Sequence, residues 1–115
     1  AMDEIDDYSV FGAYVYPNML IDISPTVAVI TRYVPRSATH TTIFTDYLFP
    51  KDAVDNPDVD LEPTISFSDL VNQQDISVCV RVQRGVASKS FTRAYHTKME
   101  RYCKQLIQRY RNEIS

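Results

Sequence analysis

One carboxylate interrupts what is otherwise an apolar helical stripe. The segment NQQDISVCVRVQRG, residues 72–85, has helical periodicity, and Asp75 falls on the same face as Val71, Val78 and Val82. Burying an unpaired carboxylate costs on the order of several kcal/mol even after the surroundings relax. An inward-facing Asp75 must therefore be paired, protonated, next to a cavity or bound to a metal.

The spacing also allows a simpler interpretation of Asp75. A small rotation of the helix would bring its carboxylate to the surface, or would let it pair with a basic residue such as Arg32. Periodicity does not decide between this interpretation and a functional carboxylate, so both remain open at this point.

The other residues with metal or nucleophile chemistry are scattered. His40 and His96 share no HxxxH spacing, and a lone histidine at the start of a strand or helix is more often a surface or capping residue than a ligand. Cys79 and Cys103 form no CxxC motif, and we predict two buried, reduced thiols rather than a disulfide. The sequence has no Ser-His-Asp order, no P-loop and no GxGxxG motif.

Composition indicates one ordinary domain. The chain has 115 residues, of which 44% are hydrophobic and 23% charged. No stretch approaches the roughly 20 apolar residues that cross a bilayer, and no signal-peptide pattern is present. These features predict a cytoplasmic protein without membrane contact.

The charge is unevenly distributed. Residues 1–80 carry 3 basic and 13 acidic groups, whereas residues 81–115 carry 9 basic and 2 acidic groups. A basic tail can bind nucleic acid, but here the basic residues share a helix with a strong apolar face, and the rest of the chain is acidic. We therefore expect internal charge complementarity and no nucleic-acid partner.

The first half of the chain has the pattern of strands. Residues 1–10 are polar and acidic, and are expected to be frayed or disordered. Alternating aromatic and β-branched residues then predict short strands near 10–16 and 19–23, with Pro17 marking an edge, a bulge or a break. Two longer strands follow, within 27–35 and up to residue 49, and short connections imply an antiparallel meander.

The second half has the pattern of helices. Residues 50–63 contain three prolines and five acidic residues, and predict an exposed loop. Helices are predicted at about 66–84 and 97–112. Ser66 and Asp69 suit the start of the first helix, and Gly85 suits a left-handed cap at its end. The second is strongly amphipathic.

The order of these motifs resembles the C-terminal part of the catalytic domain of a Rieske non-haem iron oxygenase large (alpha) subunit. The resemblance runs from YPNMLIDI through VAVITRYVP, TIFTDYLF and NQQDISVCVRVQRGVAS to ERYCKQLIQRY, about residues 11–112. It is most specific at Gln74-Asp75 and at residues 82–85. These segments agree with the family both in order and in spacing.

The resemblance implies a function for Asp75. In the family this aspartate is the third ligand of a mononuclear Fe(II) site that also has two histidines. A complete subunit carries a [2Fe-2S] cluster, accepts electrons from a reductase or ferredoxin, and uses O2 to hydroxylate a small organic substrate. The implied fold is α+β: an antiparallel sheet packed against a long C-terminal helix, the helix-grip arrangement of the Bet v1/START type.

Several family features have no counterpart in the sequence. It has no CxH and CxxH pairs for a cluster, and neither His40 nor His96 matches the iron-ligating histidines. We therefore expect residues 11–114 to be a partial catalytic domain, from a fragment or a truncated relative. We expect no catalytic residue, cofactor site or bound cofactor in the isolated chain, and we expect the iron position that Asp75 marks to be empty.

A partial catalytic domain would supply only some of the strands of the family's sheet, which leads to a further expectation. A partial sheet would expose an edge, so a homo-oligomer formed through that edge is predicted. The alternative to an oxygenase part is a non-catalytic helix-grip module that binds a small ligand or another protein.

Overall fold

The structure is a computed structural model that describes residues 9–115. Most of the segment expected to be frayed, residues 1–10, therefore lies outside the described residues. The chain divides into two compact units, Ala1–Phe67 and Ser68–Ser115. The first contains an antiparallel sheet and the second is largely helical, so the predicted α+β class is confirmed.

The sheet has four strands in the order of the chain. They are β1 (Phe11–Val15), β2 (Met19–Ile23), β3 (Ala28–Ser37) and β4 (His40–Leu48). Each strand pairs antiparallel with the next, and the order across the sheet is β1-β2-β3-β4. The predicted meander is confirmed, because alternating β-branched and aromatic residues with short turns favour local antiparallel pairing.

Prolines interrupt the sheet where a ladder hydrogen bond is absent or irregular. Pro17 lies in the turn between β1 and β2, after a cis peptide bond with Tyr16, as expected for a residue that marks a break. Pro35 lies at the irregular end of β3, where the register with β4 shifts between Pro35 and Ser37. The regular part of the β3–β4 pairing therefore ends before this shift.

A polar pair joins β3 and β4 on one face of the sheet. The Arg32 guanidinium donates to Asp46 Oδ2 at 3.1 Å and lies 5.4 Å from the centre of the Phe44 ring. Both charged side chains are about half exposed, so the pair contributes at most about 1 kcal/mol. The partner of Arg32 is thus Asp46, not the Asp75 considered from the sequence.

The acidic segment is not the continuous loop predicted for residues 50–63. A short helix, α1 (Lys51–Asp55), occupies its first part, and the Lys51 ammonium pairs with the Asp55 carboxylate one turn later. The next helix already begins at Glu62. Prolines did not prevent helix formation because Pro50 precedes α1 and Pro63 lies in the first turn of the second helix, where no intrahelical donor is lost.

Helix α2 (Glu62–Val86) is longer at both ends than predicted. Ser66 is not its N-cap, since the Ser66 hydroxyl lies inside the helix and donates to Glu62 Oε1 at 2.7 Å. Asp60 Oδ1 instead accepts the Glu62 N–H at 3.0 Å. Gly85 is not a left-handed cap either, because it is helical and no glycine has a positive φ.

The C-terminal helix agrees closely with the sequence pattern. A single 3-10 turn at Lys98–Glu100 leads into α3 (Arg101–Ile114). The apolar side chains recur on one side of α3 and basic side chains on the other, as predicted. No helix of the described residues combines the length and apolar character needed to cross a bilayer.

Burial is slight throughout residues 9–115. No described apolar side chain is buried, and Thr31 in β3, at 6% exposure, is the one buried polar residue. The ordinary hydrophobic content of the chain had suggested a normal core. Most apolar residues of β2 and β3 are instead half-buried, and many of those on β1, β4, α2 and α3 are exposed.

Candidate functional site

Asp75 lies in the middle of α2 and is exposed. Val71, Val78 and Val82 on the same helical face are exposed as well, by 39%, 47% and 57%. Of the two orientations that the sequence left open, the structure thus has the exposed carboxylate and not the inward-facing one. The cause is not a rotation of the helix, because the whole stripe is exposed together with the carboxylate.

The helix places two other polar residues within one turn of Asp75. Asn72, three residues earlier, is half-buried, whereas Cys79, four residues later, is exposed. Asn72, Asp75 and Cys79 line one strip of α2. An amide, a carboxylate and a thiol do not form the two-histidine, one-carboxylate set that suits Fe(II).

The described residues as a group do not fit an iron site. No three His, Cys, Asp or Glu side chains of residues 9–115 converge at a position that could hold a metal ion. A single carboxylate does not retain Fe(II) against water, because such sites need several fixed protein ligands and further groups that orient them. Asp75 could thus supply one ligand of an iron centre, and the other protein ligands would have to come from elsewhere.

His40 begins β4 on the exposed tip of a hairpin. Its Nδ1 lies 2.9 Å from Thr39 Oγ1 and 3.5 Å from Ser37 Oγ. These neighbours hold the imidazole in a turn, which agrees with the surface role predicted for it. His96 is also exposed and lies two residues before the 3-10 turn that begins at Lys98.

The cysteines are placed differently from the prediction. Cys79 and Cys103 are both free, as expected, but both are exposed instead of buried. Each lies on a helical apolar face that is itself exposed. The prediction of buried thiols depended on those faces being covered, and the structure does not cover them.

Thr97 and Glu100 form a reciprocal cap that was not predicted from the sequence. The Thr97 N–H donates to Glu100 Oε2 at 2.7 Å, and the Thr97 side chain accepts from the backbone of Glu100. The signal was present as Thr-x-x-Glu at 97–100, a pattern typical of a helix start. The hydrogen bond from the Thr97 backbone, helped by the Thr97 side chain and the charge of His96, lowers the pKa of the Glu100 carboxyl.

A small cavity lies at the end of the β1–β2 hairpin. Its volume is about 190 Å³, and it is lined by Ser9, Val10, Phe11, Ile23, Ser24 and Pro25. Ligand sites for molecules of ordinary drug size measure about 300–1,000 Å³ and contain convergent polar groups. This cavity is smaller and has no titratable side chain, so it offers no chemistry comparable to that of Asp75.

The chain was compared with known proteins. The family described as "Ring hydroxylating alpha subunit (catalytic domain)" matches residues 1–115, which is the whole chain. No curated protein matches this chain. No solved structure matches it either.

Proposed function

Because the chain belongs to the ring hydroxylating alpha subunit family, over its catalytic domain, we propose that it is the C-terminal part of an oxygenase catalytic domain, with Asp75 as the carboxylate ligand of a mononuclear iron. The observation that supports this proposal most strongly is the family match over residues 1–115. The assignment of Asp75 as the ligand is supported by the resemblance of Gln74-Asp75 to the metal-ligand motif of that family. The other ligands and the [2Fe-2S] cluster have to come from residues outside this sequence.

The iron, when bound in a complete subunit, supplies O2 activation for hydroxylating an organic substrate. The residues of this chain have simpler tasks. The backbone of α2 holds Asp75 at a fixed place along a 25-residue helix, and the carboxylate offers negative charge and oxygen donors to a hard cation. The exposed valines on either side of it would exclude water once other elements covered them.

The context of the complete subunit is part of the same proposal. Electrons would reach it from a reductase or ferredoxin, and the protein would work in the cytoplasm. The isolated chain would be inactive and would hold neither cofactor. We further propose that it forms a homo-oligomer through an open edge of its sheet, since the end strands of the described sheet each pair on one side only.

Metal analysis of the purified 115-residue chain tests the claim that Asp75 cannot hold iron alone. After anaerobic incubation with Fe(II) and desalting, we expect far less than one iron per chain, because three ligands are needed and the described residues bring together no such set. Stoichiometric iron that survives desalting would contradict the proposal. Cys79→Ser is the matched control, since it removes the thiol nearest to Asp75 along the helix and should leave the result unchanged.

A further inference from the structure

We propose that Asp22 recognises the substrate, and that this substrate is an organic cation with an ammonium group and an apolar body. The inference rests on the proposed function, because it names the class of molecule that the oxygenase would hydroxylate. Binding of the cation to Asp22 requires neither iron nor Asp75, so the two proposals can fail separately.

Asp22 is a half-buried carboxylate without a partner among the described residues. It lies in β2, an inner strand of the sheet, and its direct neighbours across the sheet are Gly12 of β1 and Val29 of β3. Neither neighbour has a polar side chain. Among residues 9–115 the Asp22 carboxylate accepts no hydrogen bond and forms no ion pair. A carboxylate that is partly withdrawn from water calls for a partner that replaces the lost hydration.

The lysine and arginine side chains of the first compact unit are engaged elsewhere. Residues 9–67 contain three of them, Arg32, Arg36 and Lys51. Arg32 pairs with Asp46 on the face of the sheet opposite to Asp22. Arg36 donates to a threonine hydroxyl at 3.0 Å, and Lys51 pairs with an aspartate one turn later. Since none of these three cations neutralises Asp22, we infer that its partner is a cation that binds to the protein.

Two hydroxyl groups close to Asp22 also have other partners. They belong to Tyr14, which is diagonal to Asp22 across β1 and β2, and to Ser24, two residues after it. The Tyr14 hydroxyl donates to the Pro17 carbonyl. The Ser24 hydroxyl donates to the Val27 carbonyl at 3.0 Å and accepts the Val27 N–H at 3.2 Å. Both hydroxyls thus satisfy backbone groups of the turns that flank β2.

Gly12 leaves room beside the carboxylate for a ligand. Its φ is not positive, so the backbone at this position does not require glycine. A Cβ at Gly12 would lie 3.0 Å from Asp22 Oδ1, and any larger side chain would cover the carboxylate from the side of β1. Glycine inside a strand often marks a position that a ligand approaches closely. Here it keeps Asp22 accessible.

The row of side chains that contains Asp22 indicates the kind of cation. Gly12, Asp22, Val29 and Tyr47 lie opposite one another in turn across the four strands. Tyr47 is two strands from Asp22, a distance of roughly 10 Å at the usual strand spacing. An ammonium group at Asp22 would place the rest of the ligand over Val29, toward an aromatic ring. The row therefore suits a molecule with a positive end and an apolar body, whereas the carboxylate would repel an organic acid.

Titration of the 115-residue chain with two matched small molecules tests the proposal. Benzylammonium and benzyl alcohol have nearly the same shape and differ in charge. In ¹H–¹⁵N spectra we expect benzylammonium to cause saturable shifts of the Gly12 and Asp22 amide resonances, and benzyl alcohol to bind at least about fivefold more weakly. Equal or tighter binding of the alcohol, or no saturable shift with benzylammonium, would overturn the proposal.

Two variants assign the preference to one carboxylate. Asp22→Asn keeps the size of the side chain and removes its charge, so the affinity for benzylammonium should fall to that for benzyl alcohol. Asp46→Asn is the matched control on the other face, where Asp46 pairs with Arg32, and it should keep the preference for the cation. An Asp22→Asn chain with an unchanged preference would contradict the assignment. The comparison of the two ligands on the natural chain does not depend on the folding of either variant.

The same titration separates this inference from the proposed function. Asp75→Ala should keep the preference for benzylammonium, because the Asp22 carboxylate attracts a cation without iron. If the preference is absent while Asp75 holds iron in a complete subunit, the cation proposal alone fails. If the preference is present while iron binding does not depend on Asp75, the proposed function alone fails.

Discussion

Thr97 and Glu100 show how two side chains start a helix with no help from burial. Both residues are exposed, and the Glu100 carboxylate accepts the Thr97 N–H that would otherwise lack an intrahelical partner. The bond is stronger to the ionised carboxylate than to the protonated carboxyl group. It therefore lowers the pKa of Glu100, and its stabilising effect is present above the ordinary glutamate pKa and is lost as the pH falls through the lowered value.

The amide proton of Thr97 should report this titration directly. In ¹H–¹⁵N spectra recorded from pH 7 to pH 2.5, we expect the Thr97 amide resonance to move upfield as Glu100 is protonated, with a midpoint below that of an ordinary glutamate. Glu100→Gln should abolish the shift. A Thr97 resonance that is unaffected in this range, or a midpoint above the ordinary value, would contradict the cap.

Asp75 marks the limit of prediction at the residue scale. Periodicity correctly placed it on one face with Val71 and Val78, because the 3.6-residue repeat depends only on the local backbone. Whether that face is buried depends on what packs on it, and residue spacing contains no such information. The resemblance to the family predicts a metal-binding role for this carboxylate, whereas its exposure is visible only in the structure.

At the scale of elements, the end of α2 shows that a local sequence signal can disagree with the conformation of the backbone. A glycine after a periodic stretch favours a left-handed cap, but Gly85 is helical and α2 continues to Val86. The Ala87 N–H donates to the Gln83 carbonyl at 3.0 Å, so the helical bonding pattern passes through Gly85. The backbone at Gly85 therefore does not require glycine, and glycine is less favourable than alanine in a helix.

Gly85→Ala should therefore stabilise the protein. No atom lies within 4 Å of the added Cβ, and alanine in a helix is favoured over glycine by about 0.5–1 kcal/mol. Gly12→Ala is the control, because its Cβ would lie 3.0 Å from Asp22 Oδ1 and force that carboxylate to move. Urea denaturation measures the free energy of unfolding of both variants. A loss of stability in Gly85→Ala would show that Gly85 is a left-handed cap after all.

The strands were more predictable than the helix ends. The limits of β2 were predicted at Met19 and Ile23, and the long strands β3 and β4 differ from prediction by only a few residues. Alternation and turn residues decide such strands locally. The start of α2 depended instead on whether Pro63 ends one element or opens another, and proline is compatible with both.

The whole molecule combines regular secondary structure with very little burial. Exposed apolar faces recur on the strands and on α2 and α3, and Thr31 is the one buried polar residue among residues 9–115. This is what the proposed function leads one to expect, since a part of a catalytic domain keeps the faces that other elements of the complete subunit would cover.

The most direct test places these residues in a complete enzyme. Residues 11–112 would replace the corresponding segment of a complete ring-hydroxylating oxygenase alpha subunit, and iron beyond that of the cluster would be measured. We expect about one mononuclear iron per subunit, its loss in Asp75→Ala, and its retention in Asp69→Ala, which changes another face of α2. Equal iron in the Asp75→Ala chimera and its parent would contradict the assignment of Asp75 as the ligand.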